Sequence, residues 1–115
     1  QTVIDKTKKQ SDVNITLKYN SDINHINQNS WQAVIPSIKE ALTNMMKYSG
    51  AQNCEIEFIK LNKLYRVRVK DDGRGCKTIK KGLGIAGIEE RMAMISGNAI
   101  IDAQDGFSVT MIFPV

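Results

Sequence analysis

At 115 residues, 42% of them hydrophobic and 24% charged, the chain is long enough for one core and too short for two domains, so we expect a single domain over residues 1–115. No apolar stretch approaches the ~20 residues that span a bilayer, no signal peptide begins the chain, and two cysteines are too few for a disulfide framework, which together predict a cytoplasmic domain. The net charge of +4 makes nucleic acid a candidate partner. The basic cluster at residues 74–81 contains no aromatic side chain for base stacking, however, so we expect no nucleic-acid partner.

The first half of the chain predicts one strand and one long helix. Residues 13–19 alternate apolar and polar side chains as a strand does, and residues 20–30, rich in Asn and Ser, are typical of a loop. Residues 31–48 predict a helix that Gly50 ends. Pro36 inside it predicts a kink or a late start, because proline removes a backbone hydrogen bond and clashes with the preceding turn. The predicted inward face of this helix consists of Val34, Ile38, Ala41, Leu42 and Met45.

The second half predicts two hairpins separated by a second helix. Residues 54–60 and 64–70 alternate around a short turn, and residues 85–96 carry apolar side chains at helical spacing. Residues 98–103 and 107–113 form the last hairpin. This order of elements predicts a two-layer α/β sandwich, in which a mixed sheet of about five strands is covered on one face by helices.

A first motif, Glu40-Ala-Leu-Thr-Asn44, lies on the predicted long helix. Residues four apart share one helix face, so Glu40 and Asn44 can reach the same metal-bound phosphate group. Magnesium keeps several waters and takes few protein oxygens, the rest coming from substrate phosphates, which makes the Asn44 carbonyl oxygen our candidate metal ligand. Taken alone, either residue could equally be a solvated side chain on a helix surface.

A second motif, Asp71-Asp-Gly-Arg-Gly75, closes a predicted strand. The Asp71 carboxylate can accept a hydrogen bond from the exocyclic amino group of adenine. Gly73 and Gly75 then let the backbone turn sharply beside the base. In isolation this pattern also describes an ordinary turn after a strand.

A third motif, from Gly82 through Gly84 to Gly87, opens the second helix. The free amides and positive dipole end of a helix N-terminus favour a polyphosphate. The same glycines satisfy a dinucleotide-binding pattern, with Asp102 at about the right distance after them. That alternative is weakened because the basic segment 76–81, rather than a buried strand, precedes the first glycine.

Together and in this order, the three motifs resemble those of the ATP-binding catalytic domain of bacterial sensor histidine kinases, within the GHKL ATPase superfamily. Residues 40–48 resemble the N box of that family, 71–75 its first glycine box and 82–91 its second. Within that family, the chain most resembles the subgroup that signals to response regulators with helix-turn-helix output domains. The resemblance lies in the residues of the first and third motifs and in the short segment 76–81, which corresponds to the ATP lid of these kinases. Tyr48 departs from the His that this subgroup usually carries there.

This resemblance implies an activity and partners. A domain of this kind binds Mg-ATP and transfers the terminal phosphoryl group to a histidine on a separate dimerisation domain, for relay to a response regulator. The resemblance also implies that the parent kinase is a homodimer. Many kinases of this type are anchored in the cell membrane. His25 lacks the following acidic residue and the long helix of a phosphoacceptor, so we expect it to be a surface-loop histidine and the dimerisation domain to lie outside this chain.

The expected roles fall on a small set of residues. Glu40, Asn44 and Lys47 are the candidate catalytic residues, with Asn44 also the metal ligand and Lys47 offsetting phosphate charge. The candidate residues for nucleotide binding are Asn44, Lys47, Asp71, Gly73, Gly75, Lys81, Gly82, Leu83, Gly84 and Gly87. Two alternatives stay open: an anti-sigma factor serine kinase of the same superfamily, and a degenerate nucleotide-binding module that acts through interactions alone.

Overall fold

Five strands and two α-helices form the frame of the protein, which the computed structural model describes at residues 14–20, 23–45, 52–73, 85–102 and 106–115. The five strands and two α-helices of the described ranges follow the predicted order, and a 3-10 helix lies in the stretch 20–30 that was predicted to be loop. They are β1 (Asn14–Tyr19), a 3-10 helix (Ile23–His25), α1 (Gln28–Asn44), β2 (Asn53–Leu61), β3 (Leu64–Asp71), α2 (Ile85–Met94), β4 (Asn98–Asp102) and β5 (Ser108–Pro114).

The strands form one mixed sheet in the order β1-β2-β3-β5-β4. β1 runs parallel to β2, and the remaining neighbours are antiparallel. Because side chains alternate along each strand, one face of the sheet is apolar and lies against α1 and α2, while the other carries charged side chains. The predicted two-layer α/β class with a mixed sheet is confirmed.

The core lies between the helices and the inner face of the sheet. All five residues of the predicted inward face of α1 are buried. Two aromatic contacts close the end of the core farthest from Asp71: Trp31 of α1 packs on Phe58 of β2 with ring centroids 5.7 Å apart, and Tyr65 stacks on Phe113 at 5.8 Å. The first of these contacts joins α1 to β2, and the second joins β3 to β5.

The start of α1 differs from the sequence prediction. The helix begins at Gln28 rather than Trp31, because the Asn27 side chain accepts a hydrogen bond from the Ser30 N–H at 2.8 Å and caps the first turn. Pro36 lies within a helix that has already run for eight residues, so the expectation of a late start was wrong. The cap, and not the proline, determines where the helix begins.

The end of α2 depends on a glycine. The Gly97 N–H donates to the Met92 carbonyl at 2.7 Å and closes the last turn. A β-carbon at Gly97 would lie 2.4 Å from the backbone oxygen of Ile112, so only glycine fits between α2 and β5. This close approach is what lets the chain pass directly from α2 into β4.

Candidate functional site

Asp71 ends β3 on the inner face of the sheet and is 4% exposed. Its Oδ1 accepts two backbone hydrogen bonds, from the Gly73 N–H at 3.0 Å and from the Phe107 N–H at 2.8 Å. Its Oδ2 is buried and has no hydrogen-bond partner among the described residues. A buried carboxylate oxygen without a donor is costly, so this atom is suited to accept a hydrogen bond from a bound molecule.

The turn before β5 holds this carboxylate in place. Besides donating to Oδ1, Phe107 accepts a hydrogen bond from the Asp71 N–H through its carbonyl at 3.0 Å. Gly106 beside it has a φ of +80°, and a β-carbon there would lie 2.6 Å from the Asp71 carbonyl oxygen. The predicted hairpin of residues 98–103 and 107–113 leaves Gly106 in its turn but does not reveal this role, because the contact joins Gly106 to a residue 35 positions earlier in the chain.

A sulfur contact joins the end of α1 to the same region. Cys54 lies opposite Asp71 in the β2–β3 register, and its Sγ lies 3.5 Å from the Sδ of Met45. Burial first, and then the nearby negative charge of Asp71 and Asp72, raise the pKa of the Cys54 thiol to about 12. The thiol therefore stays neutral and acts as a small packing group.

Asn44, the candidate metal ligand, directly precedes Met45 and is therefore brought to the Asp71 end of the sheet. It is 5% exposed, although it is a polar residue in the last turn of a helix. Glu40, one turn earlier, is half-buried. The structure thus places two of the predicted site residues, Asn44 and Asp71, at the same end of the molecule.

Asp72, the next residue after Asp71, is exposed, and both of its carboxylate oxygens accept hydrogen bonds from the protein. Its Oδ1 accepts the N–H groups of Gln52 at 3.0 Å and Asn53 at 2.9 Å, and its Oδ2 accepts the Asn53 side-chain amide at 2.7 Å. These bonds, the side-chain bond from Asn53 foremost, lower the pKa of Asp72. Asp72 ties the start of β2 to the end of β3.

The first turn of α2 carries Gly87. The Arg91 side chain reaches back over this glycine and donates from Nη1 to the Ser37 Oγ of α1 at 3.4 Å. Ala33 of α1 and Met94 of α2 line one groove farther along, so the two helices run antiparallel. The N-terminal end of α2 therefore lies on the side of the C-terminal half of α1, which carries Asn44.

Several predicted site residues lie outside the described residues. These are Lys47, Gly75, Lys81, Gly82, Leu83 and Gly84. Within the described ranges, no group of three or more His, Cys, Asp or Glu side chains is placed to hold a metal ion. No helix in that part of the chain is long and apolar enough to cross a membrane.

Known proteins with similar sequences are sensor histidine kinases, although none of the known family models matches the chain. Sensor histidine kinase DesK of Bacillus subtilis (strain 168) is 33% identical over 100 residues, covering 84% of this chain and 26% of that protein. Sensor histidine kinase YvfT of the same strain is 30% identical over 105 residues, covering 89% of this chain and 28% of that protein. The chain therefore corresponds to one part of these longer relatives.

Solved structures share the fold over nearly the whole chain. The histidine kinase domain of a blue-light activated kinase from Erythrobacter litoralis matches with a TM-score of 0.76 at 15% identity, covering 98% of this chain and 56% of that one. The ATP binding domain of PrrB from Mycobacterium tuberculosis matches with a TM-score of 0.73 at 16% identity, covering 97% of this chain and 87% of that one. The chain belongs to the sensor histidine kinase family, and it has the fold of the solved histidine kinase and ATP binding domains with which it aligns.

Proposed function

We propose that this chain is the ATP-binding catalytic domain of a two-component sensor histidine kinase, and that it binds Mg-ATP at the end of the sheet that carries Asp71 and Asn44. The observation that carries the proposal is the buried Oδ2 of Asp71, which lacks a donor within the described part of the chain. The adenine amino group is a donor of the required kind. Asp71 therefore binds the base, and the glycine turn that begins at Gly73 lies beside it.

The remaining residues act on the phosphates. Asn44 would hold Mg²⁺ through its side-chain oxygen together with oxygens of the nucleotide phosphates, and the metal would supply positive charge that offsets the phosphates. Lys47 and Lys81 offset the rest of that charge, and the amides of the segment from Gly82 to Gly87 cradle the phosphate chain. Glu40 would orient a water beside the phosphates.

Transfer of the terminal phosphoryl group requires positioning and charge stabilisation more than covalent chemistry by the protein. The acceptor is a histidine on the dimerisation domain of the parent kinase, which is a homodimer, and the phosphoryl group passes from there to a response regulator. The family of the relatives and the position of Asn44 at the same end of the sheet as Asp71 support this role. We also propose that the response regulator is of the helix-turn-helix class.

Calorimetric titration with ATP, GTP and NAD, each with and without magnesium, tests the proposal. We expect ATP to bind, with GTP and NAD much weaker. Asp71→Ala should lower ATP affinity about a hundredfold, since it removes a charged acceptor from a buried site. Asp72→Ala is the matched control: it removes the same charge one residue away and should leave ATP affinity nearly unchanged.

A second variant tests the metal role. Asn44→Asp puts a negative charge beside the phosphates, so ATP affinity should fall strongly without magnesium and recover partly when magnesium is added. Asn29→Asp, the same change at the other end of α1, should have neither effect. Tight binding of NAD would move the assignment to the dinucleotide fold, and absence of any nucleotide binding would favour a degenerate interaction module.

A further inference from the structure

The two oxygens of the Asp71 carboxylate have different surroundings. Oδ1 faces two N–H donors on two separate turns, Gly73 at 3.0 Å and Phe107 at 2.8 Å. Oδ2 faces no donor in the described ranges. Rotation of the carboxylate by half a turn would only exchange the two oxygens, but rotation by less would break both bonds. The side chain is therefore held in one plane with one oxygen directed away from the protein donors.

Gly106 makes this arrangement possible. A β-carbon at this position would lie 2.6 Å from the Asp71 carbonyl oxygen, 3.0 Å from Oδ1 and 3.3 Å from the Gly73 carbonyl oxygen. Its φ of +80° is also a conformation that other residues rarely adopt. Any larger side chain would push the turn away from the carboxylate and withdraw the Phe107 N–H from Oδ1.

We propose that the Gly106–Phe107 turn determines the base specificity of the site. The Phe107 N–H requires a hydrogen-bond acceptor at the Oδ1 position, and this decides whether the atom at the Oδ2 position, which faces the base, is an acceptor or a donor. This inference rests on the proposed binding of a purine nucleotide. With Asp71 the outward atom is an acceptor, which selects a purine with an amino group at position 6. Gly106 is a positioning residue, since it acts on the base through Asp71.

The pinned geometry leads to a specific consequence for Asp71→Asn. The two N–H donors need an acceptor, so the amide oxygen of the new side chain occupies the Oδ1 position and its NH₂ group occupies the Oδ2 position. The outward atom then becomes a donor, which selects a purine with an oxo group at position 6. A carboxylate that rotated freely would give a different result, because the amide could then present either atom and selectivity would be lost rather than inverted.

The test is calorimetric titration of the whole chain with ATP, inosine triphosphate and purine riboside triphosphate, which carry an amino group, an oxo group and a hydrogen at position 6. Wild-type protein should prefer ATP to inosine triphosphate by about tenfold to a hundredfold, the effect of an unpaired buried acceptor. Asp71→Asn should invert this ratio. Purine riboside triphosphate should be intermediate for both proteins, because it neither pairs with nor repels the outward atom.

Gly106→Ala tests the turn, with Gly97→Ala as the matched control. Each substitution forces a β-carbon against a backbone oxygen, at 2.6 Å and 2.4 Å respectively, and both should lower the melting temperature. Only Gly106→Ala should bring the ratio of ATP to inosine triphosphate affinity toward one, because it releases the carboxylate. An unchanged ratio in folded Gly106→Ala would overturn the role of the turn.

Amide hydrogen exchange of the wild-type protein keeps the proposal testable even where a variant does not fold. The amide protons of Gly73 and Phe107 should exchange slowly both without nucleotide and with ATP. Fast exchange of both in the free protein overturns the pinned carboxylate. If the wild-type protein binds none of the three nucleotides, the proposed function is wrong. If the wild-type protein prefers ATP but Asp71→Asn has no higher affinity for inosine triphosphate than wild type, only the fixed orientation of the carboxylate is wrong.

Discussion

The two ends of β3 each place an oxygen in the protein interior without a hydrogen-bond partner in the part of the chain that the structure describes. At one end this atom is the hydroxyl oxygen of Tyr65, and at the other it is Oδ2 of Asp71. The two residues are six apart on the same face of the strand, roughly 20 Å by the rise of a strand. Tyr65 stacks on the ring of Phe113, while Asp71 accepts hydrogen bonds from the backbone N–H groups of Gly73 and Phe107.

Because their surroundings differ, we expect only the Asp71 oxygen to belong to a binding site. The Tyr65 ring supplies apolar packing against Phe113, and its hydroxyl is incidental to that packing. Asp71 supplies no apolar packing, and its other oxygen is held by two donors. We therefore expect different results when each atom is removed. Loss of the Tyr65 hydroxyl should raise the free energy of unfolding, whereas loss of the Asp71 carboxylate should lower the affinity for ATP.

The largest effect on stability is expected at the Tyr65 end. Phe113→Ala removes a fully buried ring and should lower the free energy of unfolding by about 3–5 kcal/mol. Urea denaturation measures this loss. Protein that remains folded should bind ATP with wild-type affinity, and a large loss of affinity in that folded fraction would show that the two ends of β3 are coupled.

A smaller effect of opposite sign is expected for Tyr65→Phe. It removes only the unpaired hydroxyl and should raise the free energy of unfolding by about 1 kcal/mol, with ATP affinity unchanged. Tyr19→Phe is the control, because Tyr19 is exposed to solvent and its hydroxyl should contribute little. Lower stability in Tyr65→Phe would mean that the hydroxyl has a partner and that the comparison between the two ends is wrong.

The smallest effect concerns Asp72 and appears only in acid. Hydrogen bonds from Asn53, its side-chain amide foremost, and from Gln52 hold the pKa of Asp72 below the ordinary value of an aspartate. Its contribution to stability is therefore fully present above the unfolded pKa and is lost as the pH falls through the lower folded pKa. In urea denaturation from pH 6 to pH 2, Asp72→Asn should show a shallower loss of stability than wild type. Glu90→Gln, an equal charge change on an exposed site of α2, is the control; a slope in Asp72→Asn equal to that of wild type would contradict the assignment.

The sequence predicted the elements that depend on local patterns. Alternating side chains located β2 and β3, and helical spacing located α2 from Ile85 onward. The start of α1 was missed because the capping Asn27 stands in a stretch of polar residues that also describes a loop. The predicted kink at Pro36 stays a prediction, because only the helix bounds bear on it.

In the candidate site too, the sequence predicted the residues that belong to local motifs but not the roles that depend on contacts between distant parts of the chain. Asp71 and Asn44 could be named from sequence because their motifs are local, and the structure brings them to one end of the sheet. The role of Gly106 could not, since it depends on a contact between two distant turns. The separate roles of the adjacent Asp71 and Asp72 could not either, because only the hydrogen bonds of the folded chain distinguish them. The roles of Lys47, Gly75, Lys81, Gly82, Leu83 and Gly84 remain predictions.

Titration of the ¹⁵N-labelled chain with Mg-ATP, followed by its amide resonances, tests most directly whether ATP binds at the Asp71 end of β3. We predict saturable shifts that are largest at Asn44, Gly73 and Phe107 and negligible at Tyr65. Shifts centred on Tyr65 and Phe113, or no saturable shift at millimolar nucleotide, would contradict the account.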